Sequence, residues 1–371
     1  MTTLGTANVP SQDTVNYDAL LSTTLNNYVA GKNFFDNIFK DSAFLAYIKN
    51  ISTLKTQDGG VQISMPLMYG TNGTVKSYSG EEILDTTLQD GMTTAHYPWK
   101  EIGGTIGITR LEERQNSGES QIINLLQSKI EQAEMSMREV INTQLLAGTV
   151  SSSTFIPGNS AKDLYPLGYF FRKDNTTDPT AGGNVGNISG NTYSWWRHNT
   201  AVLNSASADT GNAFALSVTT YAGLKVALHR MFNYCSRGSG GSPDLVVCNQ
   251  ETYETYENAL DQQVRYANQR MGDMGFETIK LKGATMVWDE QVPDIDTGTL
   301  AASATTGSAF FINTKFYKLV MDSMTDMIVT PFVEPENQSV KTAKILAMLN
   351  ATVSNMRKHG VCYAISKSIT S

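Results

Sequence analysis

The sequence predicts an α+β fold, and three features of its 371 residues lead to this prediction. Apolar and polar residues alternate at both ends of a glycine-spaced stretch between residues 61 and 108, which is typical of a β-hairpin. Apolar residues at helical spacing follow directly between residues 119 and 147. Short apolar runs typical of strands fill the last third of the chain.

The composition limits the classes of protein to which the chain can belong. Hydrophobic residues form 40% of the sequence, which is enough for a sizeable core, and at roughly 150 residues per domain the length predicts two or three compact units. With a net charge of −7, the chain lacks the excess of basic residues that is typical of a dedicated nucleic-acid binder. The charged fraction of 17% lies below the usual value of about 25%, and a surface of uncharged polar groups favours extensive cover by partners.

The cysteines and the absence of long apolar runs predict a protein that is made and folded in a cytoplasm. Cys235, Cys248 and Cys362 lie far apart without a paired motif, so we expect three small buried residues in a reducing compartment. No apolar run reaches the ~18 residues of a membrane span. Residues 1–13 lack the pattern of a secretory signal.

The first 50 residues predict an amino-terminal arm. Residues 1–33 are polar with little to bury, whereas Phe44, Leu45 and Ile48 recur at helical spacing. Such an arm cannot fold alone, and we expect it to lie on another surface.

Residues 51–110 predict an extended β-hairpin loop. The first strand alternates through Pro66, which indicates an edge strand, and the predicted return strand runs from Ile102 to Ile108. A polar stretch with Glu81 and Glu82 forms the predicted tip between them. Because a two-stranded hairpin is marginal alone in water, we expect another surface of the same chain or of a neighbour to support it.

The strongest single element is a long helix over about residues 117–148. Asn116 with Glu119 resembles a capping box, and Gly148 is a natural stop. At 1.5 Å per residue the helix would run about 40 Å, which we interpret as the backbone of an extended body.

The rest of the chain predicts a loop-rich segment, then an α/β-like unit, then terminal strands. In the loop-rich residues 151–215, Trp195-Trp196-Arg197 predicts an anchor of a surface segment onto the core. The unit that follows has a helix from about Tyr221, a wholly apolar strand at Leu245–Cys248 and a second helix that Asn249 caps. Three strand pairs are predicted after it: residues 279–281 with 285–288, residues 310–312 with 316–321, and a terminal hairpin of residues 345–353 with 361–365 across a basic turn at residues 355–360.

Motifs for catalysis are missing from the sequence. It contains neither a phosphate loop nor a nucleophile elbow, and nothing assembles a nucleophile, a base and an oxyanion donor. We therefore predict a protein that is not an enzyme, without catalytic, cofactor-binding or metal-binding residues. The four single histidines are expected on the surface or in loops: His96, His198, His229 and His359. An alternative of a different class, a metal-dependent hydrolase or binding protein, would use an acidic cluster: Asp289, Glu290, Asp294 and Asp296.

The order of these parts resembles the major capsid proteins of tailed bacteriophages with the Hong Kong 97-type fold. The resemblance covers about residue 30 to the end. It rests on the hairpin that leads directly into the long helix, on the tandem-tryptophan loop and on short segments in a characteristic order: Pro243–Tyr256, Gly275-Phe276-Glu277, Leu281–Ala284, Trp288-Asp289, Phe310–Asn313 and Arg357–Gly360.

The resemblance implies a specific domain organisation. It predicts an amino-terminal arm (1–50), an extended loop (51–110), a peripheral domain with a spine helix (111–215), an axial domain (216–330) and returning peripheral strands (331–371). In such coats the extended loop lies over the neighbouring subunit's peripheral domain, and axial domains meet at the centres of pentamers and hexamers.

The resemblance also implies a function. The chain would self-assemble in the host bacterial cytoplasm into the icosahedral head shell of the virion, which encloses double-stranded DNA without sequence-specific binding. Because the polar arm at Met1 is short, a separate scaffolding protein is expected. A portal and decoration proteins are the other expected partners, with no membrane contact. An encapsulin-like nanocompartment, which encloses an enzyme instead of DNA, is the alternative within the same fold.

Overall fold

The structure is a computed structural model that describes residues 43–50, 54–115, 125–151, 154–156, 158–172, 185–205, 213–260, 279–294, 306–325, 327–336 and 338–369. These residues divide into two compact units. The smaller unit contains the described residues of 102–139 and 327–347, and the larger unit contains those of 41–101, 140–326 and 348–371. Within the described residues, no helix combines the length and the apolar character needed to cross a bilayer.

Helices account for several of the predicted apolar patterns. The α-helices are α1 (Ala43–Asn50), α2 (Arg110–Gln115), α3 (Leu125–Leu146), α4 (Gly158–Ala161), α5 (Leu167–Phe170), α6 (Tyr221–Cys235) and α7 (Gln250–Asn258), with short 3₁₀ helices at Ser194–Trp196 and Met356–Lys358. Helix α3 confirms the predicted long helix from Leu125 onward; the first predicted helical residues, 117–124, and the predicted cap Asn116 lie outside the described part of the chain.

Strands make up most of the remaining regular structure. They are β1 (Leu54–Gln57), β2 (Ile63–Met68), β3 (Met92–Tyr97), β4 (Lys100–Thr109), β5 (Thr149–Ser151), β6 (Thr154–Ile156), β7 (Asn199–Val202), β8 (Phe214–Ala215), β9 (Leu245–Cys248), β10 (Ile279–Leu281), β11 (Ala284–Trp288), β12 (Thr306–Ile312), β13 (Tyr317–Asp322), β14 (Ile328–Val329), β15 (Val340–Val353) and β16 (Gly360–Ser366). Helices and strands together confirm the α+β class.

A seven-stranded sheet forms the centre of the larger unit, in the order β10-β11-β9-β12-β16-β7-β8. Strand β9 is wholly apolar and completely buried, as expected for a strand that is covered on both faces. It runs parallel to β11 and antiparallel to β12. Helices α6 and α7 contribute Leu228 and Tyr256 to the buried cluster that contains Val246 and Cys248 of this strand. The three cysteines are buried free thiols, as predicted.

The carboxyl end of the predicted arm packs on its own chain. In α1, Phe44 and Ile48 are buried, and the Tyr47 hydroxyl donates to the carbonyl oxygen of Asp244 at 3.1 Å. This part of the arm therefore has its support within the larger unit. Residues 1–42 lie outside the described part.

The smaller unit joins the start of α3 to the end of β4. Thr109 and Glu112 form a reciprocal capping box, in which the Thr109 N–H donates to Glu112 Oε2 at 2.8 Å and the Glu112 N–H donates to Thr109 Oγ1 at 3.2 Å. Lys129 of α3 lies 3.3 Å from the buried Glu112 carboxylate and donates to the Gly107 carbonyl. One lysine thus ties the helix to the strand.

The structure corrects the predicted return strand of the hairpin. Strand β2 pairs with β3, from Ile63 opposite Tyr97 to Met68 opposite Met92, whereas Ile102–Ile108 belongs to β4, which pairs with β15. Two glycines of β4 allow that pairing, because a Cβ built on Gly103 would lie 3.0 Å from Leu346 and one on Gly104 would lie 3.2 Å from Ile345.

Two further predicted strand pairs are wrong, and the predicted pair β10–β11 is confirmed. Strand β12 pairs with β9 and β16, while β13 pairs with β1 and β15, so the two are not partners. Strands β15 and β16 do not form a terminal hairpin, because β16 pairs with β12 and β7. The short segments between these strands direct them to different partners and do not fold them back on each other.

Candidate functional site

The hairpin is attached to the larger unit through its root, which is strands β2 and β3. The inward face of the root consists of side chains that are at most 9% exposed: Ile63, Met65, Leu67, Ala95 and Tyr97. The Tyr97 hydroxyl donates to the Val353 carbonyl at 2.7 Å, and burial raises the pKa of this phenol. The root is therefore a fixed part of the larger unit.

The hairpin tip, residues 70–91, is exposed along its length. Its hydrogen bonds are local: Asn72 accepts from Thr74, and Asp85 accepts from Thr87. The predicted polar tip also carries large apolar side chains that are exposed to solvent, with exposures between 48% and 96%: Val75, Tyr78, Ile83, Leu84 and Leu88. The tip therefore presents large apolar side chains that the described part of the chain leaves uncovered.

The tip is also acidic. It carries four carboxylates, of Glu81, Glu82, Asp85 and Asp90, against the one ammonium of Lys76. Lys76 lies 3.8 Å from Glu82, and both side chains are about half exposed. Such an exposed pair contributes little to stability. With four carboxylates and one ammonium, the tip has a net negative charge.

The tandem tryptophans anchor the point at which the tip leaves the root, as predicted for that loop. Trp196 is buried, and its indole N–H donates to the Val185 carbonyl at 3.0 Å. Trp195 stacks on Tyr69 with ring centroids 4.9 Å apart and an interplanar angle of 12°. The Tyr69 N–H donates to the Gly91 carbonyl at 2.9 Å, which closes the two strands below the tip.

A pocket of about 310 Å³ lies beside this stack; we call it the root pocket. Its lining combines aromatic and basic side chains: Tyr69, Trp195, Trp196, Arg237, Arg357 and Lys358. No carboxylate lines it, and no described carboxylate pairs with Arg237 or Arg357. Arg237 stacks on the Tyr234 ring, with its guanidinium carbon 3.8 Å from the ring centroid. The root pocket is therefore electropositive.

Lys358 closes the glycine-rich turn that forms one wall of the pocket. This residue is only 2% exposed, and its ammonium donates to the carbonyl oxygens of Arg237, Gly238 and Gly241 at 2.9, 3.0 and 3.2 Å. Within this turn, Gly240 has a positive φ of 115°, and a Cβ on this residue would lie 2.9 Å from the Phe316 ring.

Two of the histidines lie in loops, as expected, but they are buried and not on the surface. His198 is 4% exposed and His359 is completely buried. His359 Nδ1 accepts from the Asn313 N–H at 3.2 Å, and the ring stacks on Phe171 with centroids 4.6 Å apart. Burial, reinforced by nearby His198, lowers the pKa of His359 to about 3. The ring is therefore neutral at physiological pH, and it packs in the core as an aromatic side chain.

The low pKa of His359 predicts a specific loss of stability in mild acid. The unfolded chain binds this proton near pH 6.5 and the folded chain only near pH 3, so stability falls as the pH drops through that window. The slope from this one group approaches about 1.4 kcal/mol per pH unit. Urea unfolding of the wild type and of His359→Asn, whose Oδ1 can replace Nδ1 as acceptor, should show a flatter profile for the variant. Parallel profiles between pH 6.5 and 4 would contradict the prediction.

The acidic cluster separates into different environments. Asp289 is buried and accepts from Asn142 at 3.4 Å, whereas Asp294 lies 2.8 Å from the Lys367 ammonium. Lys367 also lies 3.3 Å from Glu251. Glu290 is exposed, and Asp296 lies outside the described residues. Within the described ranges, no three His, Cys, Asp or Glu side chains are grouped to hold a metal ion.

Asn249 does not use its side chain as the predicted cap of α7. Its Nδ2 donates to Asp294 at 3.0 Å and to Glu251 at 3.2 Å, and no capping bond from the side chain is made. Burial raises the pKa of Asp294, an effect that the bonds from Lys367 oppose. This cluster links the start of α7 to the segment after β11 and to Lys367, which follows β16, and this is a structural role.

Comparisons with known proteins agree with this architecture at the level of the fold. A scan of protein-family models finds no match, and a search of curated proteins finds none. Solved structures do match. The chain is similar to the capsid of cyanophage A-1(L), with a TM-score of 0.59 and 12% identity over 92% of this chain and 96% of that one.

Two other solved structures show the same similarity. The holo-SrpI encapsulin from Synechococcus elongatus PCC 7942 matches with a TM-score of 0.56 and 7% identity over 96% and 97% of the two chains. The capsid of an empty GTA particle matches with a TM-score of 0.52 and 13% identity over 89% of this chain and all of that one. Coverage of nearly the whole length on both sides means that the similarity includes the complete fold. The chain has the Hong Kong 97-type fold of capsid and encapsulin shells.

Proposed function

We propose that the chain is the major capsid protein of a tailed phage, which self-assembles into the icosahedral head shell around double-stranded DNA. The observation that carries this proposal is the hairpin tip. Within a fold shared with shell proteins, it holds Ile83 and Leu88 more than 90% exposed, and the described part of the chain does not cover them. Burial of such side chains on sister subunits stabilises a shell through many repeated contacts.

In this proposal the parts of the chain have separate roles. The extended loop (51–110) binds a neighbour through its tip, the peripheral domain (111–215 and 331–371) with its spine helix forms the body, and the axial domain (216–330) lies at the centres of hexamers and pentamers. Such overlapping subunits bury more area than a standard interface of about 1,600 Å². The role is structural, and it needs no catalytic group.

The proposed partners follow from assembly of a phage head. A separate scaffolding protein and a portal would direct assembly in the host cytoplasm, and decoration proteins would bind the finished virion. The net charge of −7 suits an inner wall that repels packaged DNA and leaves it free to exit. Tight, salt-sensitive DNA binding by isolated subunits would contradict this.

An encapsulin-like nanocompartment is the second candidate, and the match to the Synechococcus encapsulin favours it. Both functions require the same shell, and they differ in what the shell encloses.

Electron microscopy of the full-length chain, expressed alone and with its neighbouring genes, tests the proposal. We expect closed icosahedral particles, with nuclease-protected DNA when the whole gene set is present. Closed particles that enclose a protein from a neighbouring gene, and no DNA, would favour the second candidate. A chain that stays monomeric under every condition would contradict both.

A further inference from the structure

We propose that the root pocket of one copy receives the acidic hairpin tip of a second copy. This inference rests on the proposed shell function and adds to it a receiving site within the larger unit.

The pocket offers chemistry for an acidic peptide that also carries apolar side chains. Arg237 and Arg357 present guanidinium groups that no described carboxylate neutralises. Guanidinium groups bind carboxylates through paired hydrogen bonds, and such charge-assisted bonds are about twice as strong as neutral ones. The stacked rings of Tyr69 and Trp195 supply an apolar wall beside them.

The hairpin tip carries the complementary pattern. Glu81 and Glu82 precede Ile83 and Leu84, and Asp85 follows, so five consecutive residues are two acids, two apolar residues and one acid. The Glu82 N–H donates to the Ser79 carbonyl at 2.9 Å, and this turn holds the segment. All five side chains are exposed. The segment can therefore bring carboxylates to the arginines and an apolar side chain to the aromatic wall.

The pocket and the tip of one chain do not satisfy each other. Every residue from 75 to 90 is exposed to solvent, and the hydrogen bonds of Asp85 and Gln89 stay within the tip. A second copy can supply the tip, and the dimer then keeps a free tip at one end and a free root pocket at the other. A contact of this heterologous kind repeats from copy to copy and closes into a ring when the rotation allows it. Hexamers and pentamers are such rings.

A charge exchange tests the contact in the full-length chain. We expect Arg237→Glu/Arg357→Glu to lower the yield of closed particles at least tenfold, and Glu81→Arg/Glu82→Arg to do the same. Combining all four changes should restore the yield to within about threefold of wild type, since the pairs are then reversed. Arg237→Lys/Arg357→Lys, which keeps the charge, is the matched control and should assemble. Failure of the four-fold variant to recover, with each half-variant folded by circular dichroism, would overturn the proposal.

A cysteine trap tests the same contact independently of shell formation. One chain carries Leu84→Cys and the other carries Ser239→Cys in the pocket wall, and the native cysteines are completely buried. Mild oxidation of the mixture should give a disulfide-linked dimer of the two variants, at least tenfold above either variant alone. No mixed dimer would overturn the proposal. If the wild type forms no shell, the proposed function fails, and the trap still decides whether the tip binds the pocket.

Discussion

Excision of residues 71–90, with Gly70 joined to Gly91, should leave a folded subunit that forms no closed shell. The two glycines already touch, since a Cβ built on Gly70 would lie 2.9 Å from Gly91 Cα. Below the join, β2 and β3 keep their pairing from Ile63 opposite Tyr97 to Met68 opposite Met92. The segment removed has local hydrogen bonds and exposed apolar side chains, so its loss takes almost nothing from the core.

Two measurements separate folding from assembly in this variant. Its circular dichroism and its thermal midpoint as an isolated subunit should match the wild type within about 2 °C, whereas sedimentation and electron microscopy should show no closed particles. A matched control keeps the full length of the tip and changes Val75, Ile83 and Leu88 to Ser. It should assemble as poorly as the excision, because the apolar contact is lost while the chain length is kept. Normal particles from the excised chain would contradict the role of the tip.

Sequence periodicity located most of the elements but not their partners. The helix from Tyr221 and the strand Leu245–Cys248 are confirmed, because each is encoded locally by apolar spacing. The return strand of the hairpin is β3, whose sequence Met-Thr-Thr-Ala-His-Tyr hides its alternation behind small and polar residues. Pairing between distant strands depends on packing over the whole unit, which a local pattern does not contain.

The candidate site was predicted in outline, and its electrostatics were not. Glu81 and Glu82 were placed at the hairpin tip, and the tandem tryptophans were predicted as an anchor. The root pocket brings Tyr69 and Trp195 together with Arg237 and Arg357, four residues that are far apart in sequence. The predicted basic turn at residues 355–360 contains Lys358, which is buried. The only local signal for the burial of Lys358 is the glycine-rich turn at residues 237–241, whose carbonyl groups accept hydrogen bonds from its ammonium.

Replacement of Lys358 by Met should destabilise the larger unit by about 2–4 kcal/mol, because three hydrogen bonds from a charged donor disappear together. Methionine has a similar length and fills the space. The loss of stability therefore measures the hydrogen bonds to the carbonyls of Arg237, Gly238 and Gly241 and not the opening of a cavity. The matched control is Lys315→Met, since Lys315 is exposed and its ammonium lies 5.5 Å from the Phe316 ring. That change should cost less than about 0.5 kcal/mol.

Urea unfolding of the isolated subunit measures both variants, and hydrogen exchange of residues 237–242 reports the turn directly. We expect faster exchange in Lys358→Met and unchanged exchange in Lys315→Met. Two opposing effects decide the result. Burial of the ammonium costs free energy, which also lowers the pKa of Lys358, and its three hydrogen bonds stabilise the folded state. Equal stability of Lys358→Met and wild type would mean that the two cancel. Closure of the turn would then depend on the contact of Gly240 with the Phe316 ring.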